Sequence, residues 1–153
     1  MCFQLQALCY VLYSNTTVLL PQKQRLNGKE VIFITRKRQY IWQGLFGFFY
    51  IKQYPNLAFH QISSHVTIKL SKKAVVRHII KRAIMGYIQQ HESIKTAING
   101  KFYKFFIVLS KDRVAQLEQK IANLPKKDII TYIQQEFEKS RKWVTNRLDS
   151  KRA

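Results

Sequence analysis

Between Phe59 and Gln89 the spacing of apolar residues switches once, from every second residue to every third or fourth, and no single element satisfies both periods. From Phe59 to Ser71 the pattern alternates, with Ile62, Val66, Ile68 and Leu70 on one face and Gln61, Ser63, His65, Thr67, Lys69 and Ser71 on the other. From Lys73 to Gln89, Val76, Ile79, Ile80, Ala83, Ile84 and Tyr87 form a single apolar arc, the mark of a helix packed by one side. A half-buried strand feeding an amphipathic helix needs a sheet with a helical layer over it, so the chain reads as α+β.

The remaining segments fill out that plan. Leu45–Lys52 is short, aromatic and bounded by Gly44 and by Tyr54-Pro55-Asn56, which favours a strand followed by a turn. Phe102–Leu109 follows the turn signal Asn99-Gly100 and reads as a buried, central strand. Gln22–Arg38 reads as a basic leading helix with Val31, Ile32 and Ile34 turned inward. Val114–Leu124 and Asp128–Leu148 read as helices separated by Pro125, the second carrying Ile129, Ile133, Phe137 and Val144 at near-helical spacing. The expected order is a leading helix and then β-β-α-β-α, in one domain over residues 21–148. Residues 1–20 read as an extension, either disordered or the product of a start codon assigned too early, and residues 149–153 as a basic tail.

With 46% hydrophobic residues the chain can build a core, and its 153 residues suffice to do so without disulfides or a structural metal. Its charge is the unusual feature. Lys and Arg number 27 against 8 Asp and Glu, a net +19 that repels itself and favours a polyanionic partner. No carboxylate occurs between Glu30 and Glu92, whereas Arg36, Lys37, Arg38, Lys52, Lys69, Lys72, Lys73, Arg77, Lys81 and Arg82 all do. Within the helix Lys73, Arg77 and Lys81 recur at one-turn spacing with His78 and Arg82 beside them, and like charges so placed weaken an isolated helix by a few tenths of a kcal/mol per pair. A surface of Lys72, Lys73, Arg77, His78, Lys81 and Arg82 suits the phosphates of a folded RNA. Phe46, Phe48 and Tyr50 share one side of a strand, a geometry on which unpaired bases can stack, and His65 lies on the polar face of the next strand.

Protein-borne catalysis finds no footing in the sequence. There is no Gly-rich phosphate loop, Gly-x-Ser-x-Gly elbow or His-Glu-x-x-His, and the carboxylates are too scattered for a two-metal nuclease centre. His60, His65, His78 and His91 do not pair at metal-ligand spacing, and Cys2 and Cys9 form no Cys-x-x-Cys motif. Met1–Leu20 is uncharged and fairly apolar, but Gln4, Gln6, Ser14, Asn15, Thr16 and Thr17 interrupt it and no basic region precedes it. The expectation is a cytoplasmic protein with neither a membrane nor a small molecule as partner. A membrane-surface role for the basic charge and the apolar N-terminus is the more distant alternative.

The run Leu70-Ser-Lys-Lys-Ala-Val-Val-Arg-His-Ile-Ile-Lys-Arg-Ala-Ile resembles the signature of the bacterial ribonuclease P protein subunit. In that family a strand ends in Ser-Lys-Lys and the next helix carries Ala-Val-x-Arg-Asn-x-x-Lys-Arg-x-x-Arg-Glu. Leu20-Pro21 with Arg25-Leu26 is similar to the family's opening, and Phe46–Ile51 falls where its first strand has an apolar run ending in Tyr. The chain departs from the pattern in three ways: the Gly-containing insert before Ala-Val is missing, the motif Asn is His78, and the closing Arg-Glu is Met85-Gly86.

The resemblance implies a two-layer α/β sandwich, with helices on one face of a small mixed sheet and a left-handed βαβ crossover. It also implies an accessory subunit of an endoribonuclease whose chemistry is carried by RNA, with Mg²⁺ bound mainly by that RNA. The partners would be the catalytic RNA and precursor tRNA. Lys72, Lys73, Arg77, Lys81 and Arg82 would face the catalytic RNA, and Tyr50 would line the cleft for the single-stranded 5′ leader. A general RNA-binding or ribosome-associated protein without a processing role is the alternative.

Overall fold

The computed structural model describes residues 20–151. The readings made for residues 1–19, Arg152 and Ala153 lie outside the described residues. After a 3-10 turn at Gln22–Gln24 the chain forms α1 (Gly28–Arg36), β1 (Tyr40–Gln43), β2 (Phe46–Lys52), β3 (Gln61–His65), α2 (Ala74–Gln90), a short α3 (Glu92–Lys95) and β4 (Tyr103–Leu109). A second 3-10 turn, α4 (Val114–Ile121) and the long α5 (Lys126–Ser150) complete it.

One mixed sheet in the order β1-β2-β4-β3 forms the middle of the molecule. β2 pairs antiparallel with β1 and with β4, and β3 runs parallel to β4, so α2 is the crossover that returns the chain to the same end. This is the α+β class read from the sequence, with the Phe102–Leu109 segment central as expected.

The strand period of two divides the sheet's residues between its faces. Ile41, Phe48 and Ile107 lie in register on one face, as do Tyr50, Phe105 and Ile62. They meet Ile80, Ala83, Ile84, Tyr87 and Ile88 of α2 and Ile129, Ile133, Phe137, Val144 and Leu148 of α5, all of them buried. Phe137 packs edge-on to Phe46 with ring centroids 5.3 Å apart and lies 6.0 Å from Phe48. At Ser140 the apolar seam of α5 is interrupted by a hydroxyl that donates to the Gln43 carbonyl at 2.9 Å, docking the helix on the β1–β2 turn. Gly44 in that turn has φ of +59°, a conformation costly for any other residue type.

The structure differs from the sequence reading in several elements. The leading helix begins at Gly28, because Asn27 and Glu30 form a reciprocal capping box in which each side chain accepts the other's backbone N–H at 2.9 Å. Ile34 on this helix is fully buried and Val31 half-buried, but Ile32 is 52% exposed. The strand expected over Phe59–Ser71 ends at His65, where the chain turns and Leu70 N–H bonds to the Thr67 carbonyl, leaving Ile68 70% exposed. β1 was not anticipated, Leu20 belongs to the core rather than to an extension, and α5 runs two residues past Leu148. Lys151, expected in a basic tail, donates to the Tyr50 hydroxyl at 2.7 Å.

Helix α1 is also not on the side of α2 and α5. It packs on β2 and β4 from the opposite face, where the Lys104 ammonium, 3% exposed, meets the Glu30 carboxylate at 2.9 Å. Burial pushes the Glu30 carboxyl up, but the Asn27 amide and the Lys104 ammonium more than offset this and hold it below its ordinary value.

Candidate nucleic-acid interface

The loop from β3 and the first turns of α2 carry the basic residues singled out in the sequence. Lys72, Lys73, His78, Lys81 and Arg82 are all exposed. Lys73 is the N-cap of α2, with no side-chain cap and no acidic residue in the first turn. Cations at the positive end of a helix dipole cost about 0.3–1 kcal/mol, so this element carries unfavourable electrostatics that a bound anion would relieve. Among the described residues the ion pairs use Glu92, Glu30, Glu136 and Glu138 with Lys95, Lys104, Lys139 and Lys142, and none involves the loop or this row.

Arg77 is placed differently. It is half-buried, and its Nη1 donates to the carbonyls of Ser71 at 2.6 Å and Lys72 at 3.0 Å. Its spacing puts it in the basic row, yet its guanidinium is engaged within the chain.

The aromatic residues require a correction. Phe46, Phe48 and Tyr50 are 0%, 4% and 8% exposed, on the sheet face covered by α2 and α5. Their rings offer no free surface to a base, because Phe137 packs on Phe46 and Phe48, and Tyr103 and Lys151 on Tyr50. The opposite face carries the rings that are available. Tyr40, Phe49, Phe106 and Ser63 lie in one register row, and Trp42, Gly47, Val108 and His65 in the next. Tyr40 and Trp42 are 51% and 45% exposed, and Phe49 and Phe106 half-buried. Adjacent rings in this group have centroids 5.7 to 6.3 Å apart. Trp42 lies flat over Gly47, where a Cβ would fall 2.4 Å from its ring.

Of the residues read from sequence for single-stranded binding, only His65 is on this open face. Tyr50 misses it by one residue, and Phe49 and Ile51 occupy the side on which α1 sits. Phe33, Ile51, Tyr54, Lys29, Asn27, Glu30 and Lys104 line a cleft of about 220 Å³ between α1 and the sheet, continuing the aromatic surface. Phe33 and Tyr54 are at least half exposed. Alternation identified the two faces of β2; it could not say which one meets the helices, because both carry large rings.

The histidines have separate roles. His60 is buried, with Nδ1 accepting the Tyr103 N–H at 2.9 Å, so Nε2 carries the hydrogen and donates to the Thr96 carbonyl at 2.8 Å. Burial holds its pKa below the ordinary value despite both bonds. His91 stacks on Tyr87 at 3.9 Å. Among the described residues no three His, Cys, Asp or Glu side chains come together as a metal site, and no helix is long and apolar enough to cross a membrane.

Compared by sequence, the chain matches no protein-family model and no curated protein. Compared by fold, it is similar to the ribonuclease P protein of Staphylococcus aureus, with a TM-score of 0.58 at 17% identity over 79% of this chain and 94% of that one. A mutant of the same protein, described as defective in mRNA degradation activity, gives 0.54 at 16% identity over 78% and 90%. The ribonuclease P protein of Thermotoga maritima gives 0.52 at 13% identity over 72% and 96%. An open four-stranded mixed sheet with helices, α+β in class, is therefore shared between this chain and bacterial ribonuclease P proteins of very different sequence.

Proposed function

We propose that this chain is the protein subunit of a ribonuclease P, binding the catalytic RNA through the basic loop and helix and the 5′ leader of precursor tRNA on the open aromatic face. The observation that carries the reading is the row Lys72, Lys73, His78, Lys81 and Arg82: exposed, without a carboxylate partner among the described residues, and set on and just before the crossover helix of a fold shared with ribonuclease P proteins.

The protein's contribution is electrostatic and positional. Two RNAs brought together repel through their phosphates, and ammonium and guanidinium groups between them reduce that cost. In this reading the Mg²⁺ that such hydrolysis uses is bound mainly by the RNA, and the protein's cations act on the phosphates around it. On the sheet, Tyr40, Trp42, Phe49 and Phe106 offer π faces to unpaired bases, each base stacked being worth about 1–3 kcal/mol. Such stacking favours a single strand over a duplex, whose bases already stack on one another. This division of labour fits a cytoplasmic tRNA-processing endoribonuclease.

The test is reconstitution with a transcribed bacterial ribonuclease P RNA and a precursor tRNA bearing a 5′ leader. The full chain should stimulate cleavage at low Mg²⁺, and K81Q/R82Q should lose that stimulation with the fold intact. Contacts to about five phosphates give a log-log salt slope of about −3.5 to −4.5. Binding to RNA without any stimulation of cleavage would leave a general RNA-binding protein instead.

A further inference from the structure

Arg77 belongs by spacing to the basic row of α2, but its surroundings differ from those of its neighbours. Of the five N–H donors of its guanidinium, the two on Nη1 are directed into the chain, at the Ser71 and Lys72 carbonyls. The Ser71 hydroxyl accepts the Lys73 N–H at 3.1 Å, and the Arg77 N–H bonds back to the Lys73 carbonyl at 3.4 Å. Ser71, Lys72 and Lys73 are thus each tied to one another or to Arg77. Without these bonds the loop would have reason to move away, since Lys72 and Lys73 sit at the positive end of an uncapped helix.

We infer that Arg77 is a positioning residue, which folds Ser71–Lys73 over the first turn of α2 and so presents Lys72 and Lys73 to RNA phosphates without contacting the RNA itself. The inference rests on the RNA-binding reading of this surface. A guanidinium suits the task because the two hydrogens of Nη1 are fixed in its plane and aimed at two adjacent carbonyls, whereas the hydrogens of a lysine ammonium rotate freely and hold that geometry less firmly. The row therefore divides into residues that meet the partner and one that arranges two of them.

The experiment compares the full chain with R77Q, K72Q/K73Q, the triple variant, R77K and K81Q/R82Q. Binding to a transcribed bacterial ribonuclease P RNA is measured across a KCl series, and amide hydrogen exchange on the free proteins. R77Q should speed exchange at residues 72–74 while the sheet and α5 exchange as before, and should weaken RNA binding several-fold. The triple variant should bind within about twofold of K72Q/K73Q, because Arg77 has nothing left to position. A cost of R77Q that persists undiminished in the K72Q/K73Q background would mean that Arg77 meets the RNA directly, and would overturn the inference.

Should R77Q unfold, R77K decides. In R77K, affinity that follows the protection of residues 72–74, both kept or both reduced, supports positioning, whereas full protection with affinity lost means that the RNA reads the guanidinium. K81Q/R82Q binding as tightly as the unchanged chain would sink the RNA-binding reading. Undisturbed exchange in R77Q would sink the positioning role alone.

Discussion

The ion pair between Lys104 and Glu30 fixes α1 over the sheet, and its removal has a calculable outcome. At 2.9 Å and an effective dielectric of about 20 the gross attraction is about 6 kcal/mol. Withdrawing the ammonium from water cancels most of that, so the intact pair contributes little net stability, while an orphaned buried charge costs about 3–5 kcal/mol. E30Q creates that orphan and keeps the capping bond, since Gln also serves at this position. The carboxylate side chain is 26% exposed and the Tyr54 ring remains 4.2 Å from the ammonium, so the expected loss falls to about 2–3 kcal/mol. K104M leaves a carboxylate that can hydrate and still accepts the Asn27 N–H, for a loss of about 1 kcal/mol. The double variant E30Q/K104M has no buried charge and should return to within about 1 kcal/mol of the unchanged chain. Urea and thermal melts of the four proteins read this out; at about 3 °C per kcal/mol, E30Q melts about 6–9 °C lower. An E30Q loss no larger than that of K104M, or strictly additive losses, would refute the reasoning.

Three further outcomes follow from the same structure. F137A removes a ring in contact with Phe46, Phe48 and Tyr87 and should cost about 3–5 kcal/mol by denaturant unfolding. G47A places a methyl group where the Trp42 ring lies, so the indole must lift from the sheet; tryptophan emission should shift to the red and stability fall by about 1–3 kcal/mol. His60 resists protonation in the fold, so the unfolded chain binds the proton first, at its ordinary 6.5. Stability should accordingly be full above about pH 6.5 and decline as the pH falls below it, and H60Q should flatten that part of the profile.

Much of the fold was legible because α2 and α5 each have one apolar side against a polar one, which periodicity reports directly. β1 was not, for a physical reason: Tyr40, Ile41 and Trp42 put large apolar groups on both faces, and alternation carries no contrast when the open face is itself aromatic. The same lack of contrast in β2 led to Phe46, Phe48 and Tyr50 instead of Phe49. The start of α1 is encoded in Asn27 and Glu30, three residues apart as a capping box requires, but basic and polar residues on both sides of it blur the boundary. The cluster of exposed lysines was legible from the absence of carboxylates. The role of Arg77 was not, since its partners are backbone carbonyls, which every residue has.

The position of β4 has a consequence for how the chain is made. Among the described residues it is the last strand, and it lies between β2 and β3, which do not pair with each other. Until Tyr103–Leu109 leaves the ribosome, the nascent chain can close its first hairpin but has no scaffold on which to hang β3, and α2 lacks most of the surface it will cover. Both long-range pairings need the same seven-residue segment, so neither can form before it is made. A chain ending at Lys101 should therefore lack the cooperative unfolding transition of the complete one.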